Sequence, residues 1–330
     1  MPSGRQFVTV FLIGLLVLSA AAAQGATREY FIAAEDVLWD YAPAGKDLSH
    51  DGPLPPEVDG HTNWRKTRFI EYTNGEFQTH KEQPAWLGVL GPIIRAEVGD
   101  TVIVYFRNKG NRPYSMHPHG LRYTKNDEGA AYHPAGVGAR VKPGESYTYT
   151  WIVDQRSGPG PRESSSTVWW YHSHVDEPED VNAGLLGPIV VTAQGKAKED
   201  GSPIDVQREF ITLFMIFIEE ADGNSNGKNA VMLNTINGYI SGNLVGLDVQ
   251  QGQAVRWYVL GMGDERDVHT AHWHGETVEW NGRHTDVVEL LPASMVTVNM
   301  KADNIGTWLY HCHVAEHMKG GMHTTFTIRQ

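Results

Sequence analysis

The chain has 330 residues with 27 Lys and Arg against 39 Asp and Glu, a formal net charge of -12. That length is enough for two domains of roughly 150 residues with separate cores, and the acidic balance argues against nucleic acid or an anionic membrane as partner. The single cysteine, Cys312, cannot form an internal disulfide, so in an exported chain it needs another purpose.

Export is what the first stretch predicts. Met1 to Ala23 combines Arg5, the apolar run Phe7 to Leu18 and Ala21-Ala22-Ala23 before Gln24. This reads as a secretory signal with a small-residue cleavage site, its apolar run being short for a membrane span. Arg5 is the only charge it holds, so its removal takes the net charge from -12 to -13. No later apolar stretch approaches ~18 residues, and a soluble periplasmic or secreted protein is expected.

Glu29 to Tyr41 then opens a β-rich region, followed by polar, Gly- and Pro-punctuated sequence to about Lys66. Short β-branched and aromatic runs come next at Thr101 to Phe106, Ser146 to Val153 and Gly187 to Thr192. With 35 Gly, 17 Pro and almost no helical periodicity, the pattern predicts all-β sandwiches. The polar segment 194–203 reads as a linker, dividing a first domain over 24–193 from a second over 204–330.

The second half repeats the first. Val98 to Tyr105 corresponds to Val249 to Tyr258, and Trp169-Trp-Tyr-His-Ser-His-Val175 to Trp308-Leu-Tyr-His-Cys-His-Val314. A repeat this long indicates a duplicated domain, since solenoid units are far shorter. The copies differ where Ser173 takes the place of Cys312, Pro178 stands near the counterpart of His317, and Leu185 or Leu186 replaces a thioether. The first domain should therefore lack a thiolate metal site.

Ten of the sixteen histidines fall in four motifs: His117-Pro-His119-Gly120, His172-Ser-His174, His269-Thr-Ala-His272-Trp-His274-Gly275, and His311-Cys-His313 with His317. Met322 closes the last. A thiolate, imidazoles and a thioether select copper, and His2Cys with a weak axial Met describes a blue-copper electron-transfer centre. His311 and His313 flank Cys312 on a predicted strand, so period-2 geometry points them to the face opposite the thiolate, toward other metals.

This ordered set resembles the multicopper oxidases over essentially the whole mature chain, and implies cupredoxin-like Greek-key sandwiches. The resemblance implies four coppers per chain. His269, Cys312, His317 and Met322 would hold the type 1 copper, and His117 and His272 the type 2 copper. His119, His172 and His313 would hold one type 3 copper, with His174, His274 and His311 on the other. It further implies one-electron oxidation of a reductant at the type 1 site, transfer through Cys312 to His311 and His313, and four-electron reduction of O2 to water. Glu35 to Ala42, Leu87 to Asp100, Tyr171 to Pro178 and Ile236 to Leu247 look most like the ceruloplasmin branch.

Ceruloplasmin-type members use six domains, and their cluster lies between the last and the first. Two domains per chain then imply a head-to-tail homotrimer with interfacial clusters. Glu316 matches one acidic position of that branch's iron site, whereas its Glu and His before Ile-Asn-Gly read here as Asn229 and Asn234. Amides lack the charge that attracts a hard cation, which favours a laccase-like oxidase of phenols and aromatic amines, with a ferroxidase as the alternative. A copper nitrite reductase would leave His119, His174, His274 and His311 without purpose, as would a simple electron carrier or copper store. Copper content separates these: four per chain for the oxidase, two for the reductase, one for a carrier. Met116, Met318 and Trp273 read as packing beside ligands. His50, His61, His80, His133, His284 and His323 fall outside every motif and read as surface or structural.

Overall fold

The computed structural model describes residues 25–58, 60–220 and 230–330. The predicted signal segment and Asn229 lie outside the described residues. The first half forms two sheets. One runs, in spatial order, Asn63–Tyr72, Thr27–Asp40, Thr101–Asn108, Ser146–Ile152, Arg122–Tyr123, and the other Ile94–Glu97, Leu186–Thr192, Ser166–His172, His117–Pro118. The second half repeats this with a six-stranded sheet through Arg208–Glu220, Ala254–Gly261 and Met295–Lys301, facing a five-stranded sheet through His323–Arg329, Gly306–Cys312 and His269–Trp273. In each half the long opening strand pairs parallel to the next long one, Thr27–Asp40 with Thr101–Asn108 and Arg208–Glu220 with Ala254–Gly261. The all-β class read from the turn-rich composition is the class observed.

Alternation explains the sheets. Thr101–Asn108 places every second residue inside, as a strand with one wet face requires. Leu186–Thr192 is buried throughout, matching its unbroken Gly-Pro-Ile-Val-Val sequence. Among the described residues the two α-helices are short: α1 (Glu177–Ala183) and α2 (Ala315–Lys319), each following a His-x-His motif. Among the described residues no helix is long and apolar enough to cross a membrane.

The halves are not joined by the linker alone. Trp39, Trp86, Leu87 and Trp170 from the first share one core with Phe210, Leu213 and Trp257 from the second. Asn237 seals the seam: its Oδ1 accepts from Leu213 N at 2.6 Å, and its Nδ2 donates to Trp86 O and Ile211 O at 2.7 and 2.8 Å. Its own carbonyl accepts from Val89 N at 2.9 Å. An unsatisfied amide at this fully buried position would cost ~1–3 kcal/mol, so the Ile-Asn-Gly run is a structural signature of the seam. The segment 194–203 is exposed over most of its length and is anchored at its end, with Lys198 N–H donating to Ser202 O and Thr192 Oγ1 to Gly201 O.

Candidate metal centre

Two adjacent strands of the second half build the site. His269–Trp273 pairs antiparallel with Gly306–Cys312, setting Ala271 opposite Cys312 and His272 opposite His311. Side chains alternate, so Cys312 shares a face with His269, whereas His311 shares the other with His272 and His274. His317 arrives from α2, which begins three residues beyond Cys312.

On the first face, Cys312 Sγ lies 3.8 Å from His269 Nδ1 and 3.7 Å from His317 Nδ1, and the two nitrogens are 3.0 Å apart. Met322 is fully buried here, its N–H donating to His317 O and its carbonyl accepting from Cys312 N, both at 3.0 Å. His269 Nε2 sits 3.0 Å from Asp267 Oδ1, a carboxylate that holds the proton on Nε2 and leaves Nδ1 free for an ion. Burial raises the Cys312 thiol above its usual value and lowers His317. A neutral imidazole is ready to ligate, and the buried thiol ionises when a cation replaces its proton. Two imidazoles, a thiolate and a neighbouring thioether fit copper in particular.

The other face carries a second group of ligand atoms. His311 Nε2 is 3.0 Å from both His272 Nδ1 and His274 Nε2, while His311 Nδ1 donates to Cys312 O at 2.8 Å, fixing the tautomer. His313 is exposed just beyond the strand, its ring 5.5 Å from that of His311. A cavity of about 710 Å³ opens here, lined by His272, His274, Glu276 and Asp286 among others. The first half supplies a matching piece. His117 pairs opposite His172 in the ladder, and His119 Nε2 meets His172 Nε2 at 3.0 Å. His172 Nδ1 donates to Ser173 O and His117 Nδ1 to Glu128 O, the same use of carbonyls to aim the remaining nitrogen. Burial pushes His119, His172 and His311 down to about 4. The His174 ring stands 5.2 Å from that of His117, and its Nε2 is 3.1 Å from Glu177.

Within one chain these two pieces remain separate. His117, His119 and His172 gather as one ligand group and His272, His274 and His311 as another, neither containing a histidine of the other half. The glycines of the two His-x-His-Gly motifs have a common cause. Gly120 and Gly275 have φ of +72° and +70°, and an added Cβ would stand 2.1 Å from Trp169 or 2.4 Å from Trp308. Only glycine permits both the turn and the tryptophan beneath it.

In the first half, the position of Cys312 is closed by polar contacts. Ser173 Oγ donates to Asp180 Oδ2 at 2.6 Å, and Arg112 holds Asp180 Oδ1 at 2.8 Å. Other expectations fall as follows. Met116 and Trp273 are buried beside the ligands. Glu316 is largely exposed and pairs with Lys319 at 3.1 Å, and Asn234 stands beside Gly320, just past α2. Sequence reasoning missed Asp267, two residues before His269, whose spacing alone looks like any surface carboxylate.

Multicopper oxidase family models match residues 70–196 and 219–330. The chain is 35% identical to human "Ferroxidase HEPHL1" over 98% of its own length and 31% of that protein's. It is 33% identical to rat ceruloplasmin over 97% of its own length and 33% of that protein's. The chain thus spans about a third of these curated relatives. Among solved structures it resembles the multicopper oxidase mgLAC with a TM-score of 0.67, at 22% identity, over 92% of this chain and 86% of that one. Two matched family models and ligand groups on both faces of one strand place this chain in the multicopper oxidase family, with ceruloplasmin-like sequence features.

Proposed function

We propose that the protein is a copper-dependent oxidase that takes single electrons from a reduced metal ion such as Fe2+ and passes them to O2. Copper, when bound, supplies the one-electron redox steps and the reduction of O2 to water. The chain's residues hold and aim it. His269, Cys312, His317 and Met322 bind the electron-accepting ion, and Asp267 orients His269 through Nε2. Cys312 connects this face covalently to His311 and His313, whose rings serve the other.

The observation that carries the choice of substrate is a cavity of about 600 Å³ that reaches Asp267 and is lined by Glu177, Glu179, Glu219, Glu220 and Asp264 as well. Lys66 offsets Glu219 and Arg266 offsets Asp264, which leaves four carboxylates to attract a cation toward the outer edge of His269. This arrangement, together with the ferroxidase among the relatives, moves the preference from phenols, favoured by the amides Asn229 and Asn234, to metal ions. The Glu179→Gln, Glu220→Gln variant should raise KM for Fe2+ about tenfold at low salt, because such clefts steer ions by factors of about 10 or more, with phenol turnover unchanged. Faster oxidation of phenols than of Fe2+ by the parent enzyme would return the preference to a laccase-like activity.

We further propose four coppers per chain and a head-to-tail homotrimer in which the His117 group of one copy meets the His272 group of the next. The separation of the two groups within one chain supports this reading. His172→Ala and His311→Ala chains should each be inactive. Co-refolded in equal amounts, they should recover about a quarter of wild-type O2 consumption, since every mixed ring has one interface with both partners intact. No recovery would mean that each cluster is completed within a single chain.

A further inference from the structure

A fourth group of ligand atoms lies apart from the three already described. Asp47 and His50, in the loop after the strand Thr27–Asp40, meet His323 at the start of the last strand, with all three ligand atoms within 4.8 Å of one another. Asp47 Oδ2 is 2.9 Å from His50 Nδ1 and 3.7 Å from His323 Nε2. A tetrahedral ion with bonds of roughly 2.1 Å sets its ligand atoms roughly 3.4 Å apart, and the two distances bracket that value. The 3.7 Å gap is too long for a hydrogen bond. His323 is only 5% exposed, and its Nδ1 is buried with no hydrogen-bond partner among the described residues. The nitrogen that faces Asp47 is Nε2, and at 3.7 Å from Oδ2 it makes no hydrogen bond there, which leaves its lone pair available to an ion.

The loop is already built to hold the carboxylate in place. Asp47 Oδ1 accepts from the N–H groups of Ser49 and His50 at 2.8 and 3.1 Å, which leaves Oδ2 to face the two rings. The loop is docked on the second half by Leu48 N to Ser241 O, and Gly242 N donates to His323 O. The ligands therefore come from both halves and are positioned before any ion arrives. His50 is 53% exposed and forms the open side.

We propose that Asp47, His50 and His323 form an additional site for a borderline divalent cation, Zn2+ being the simplest case, that clamps the 43–53 loop of the first half to the last strand of the second. Two imidazoles and one carboxylate suit Zn2+, Cu2+ or Fe2+ and disfavour Mg2+ and Ca2+, which prefer oxygen.

The test is equilibrium dialysis of the copper-loaded enzyme against Zn2+, with metal analysis and thermal melting. Wild type should take up one Zn2+ per chain beyond its copper, and its melting midpoint should rise with Zn2+ because the ion binds the folded state. His50→Ala changes an exposed side chain and should keep the blue absorption. It should weaken Zn2+ at least about tenfold, since even an outer partner of a metal ligand is worth about 10–100-fold. Asp47→Asn retains Oδ1 for the loop and should lose Zn2+ as well. Absence of the extra Zn2+ in wild type, or its full retention in both variants, would overturn the site.

Discussion

Replacing Cys312 with Ser is expected to abolish the blue absorption of the copper-loaded protein and to lower O2 consumption more than about a hundredfold. Outer partners of metal ligands cost about 10–100-fold on mutation, and Cys312 is the one thiolate and also the covalent bridge between the two faces. Its backbone is held at both groups, with N–H on Met322 O and its carbonyl on His311 Nδ1. The hydroxyl of Ser leaves these bonds and the strand register intact, so loss of colour would report on the sulfur rather than on the fold. Absorption spectra and oxygen-electrode traces on the purified variant decide the matter. A variant that stayed blue and active would remove Cys312 from the site.

The second large effect concerns stability. Lys66 and Glu219 form an ion pair with side chains only 1% and 9% exposed, joining the strand Asn63–Tyr72 to Arg208–Glu220 across the seam. Tyr41 donates to the same carboxylate, and Lys66 Nζ also donates to Asn182 O at 2.6 Å. Burial lowers the Lys66 pKa, and the attraction of Glu219 opposes that shift. Lys66→Met strands Glu219 and should cost ~3–5 kcal/mol, as breaking a buried pair from one side does. The double variant Lys66→Met, Glu219→Leu should recover most of that loss, because both charges have gone. Denaturant midpoints of the two variants measure the difference. Equal destabilisation by single and double changes would show that the pair is worth its contacts, and not its neutralisation.

The candidate ligand groups were legible because their chemistry is rare: one thiol among paired imidazoles, with strand alternation dividing them between faces. The β class was legible from turn residues and short apolar runs. Sequence could not show that His317 reaches the thiolate from a helix, because five residues are too few for a helical pattern. Nor could it separate His50 and His323 from other unassigned histidines, since Asp47 is 276 positions from His323 and only the folded seam brings them together. Asp267 was missed for a different reason, since it lies only two residues from His269. Its meaning comes from the nitrogen it touches, which spacing does not reveal. Asn237 was noticed as a family likeness, but its work at the seam depends on partners at Trp86, Ile211 and Leu213, distant in the chain.

The common core and Asn237 bind the two halves together, and in the proposed ring the angle between them is set at this seam, whose core also contains Cys312 and Met322. Closure after three copies then depends on packing around Trp86 and Val89. A bulkier residue there would tilt each successive copy slightly and turn a closed circle into an open spiral, with every histidine still in place and no oxygen consumed.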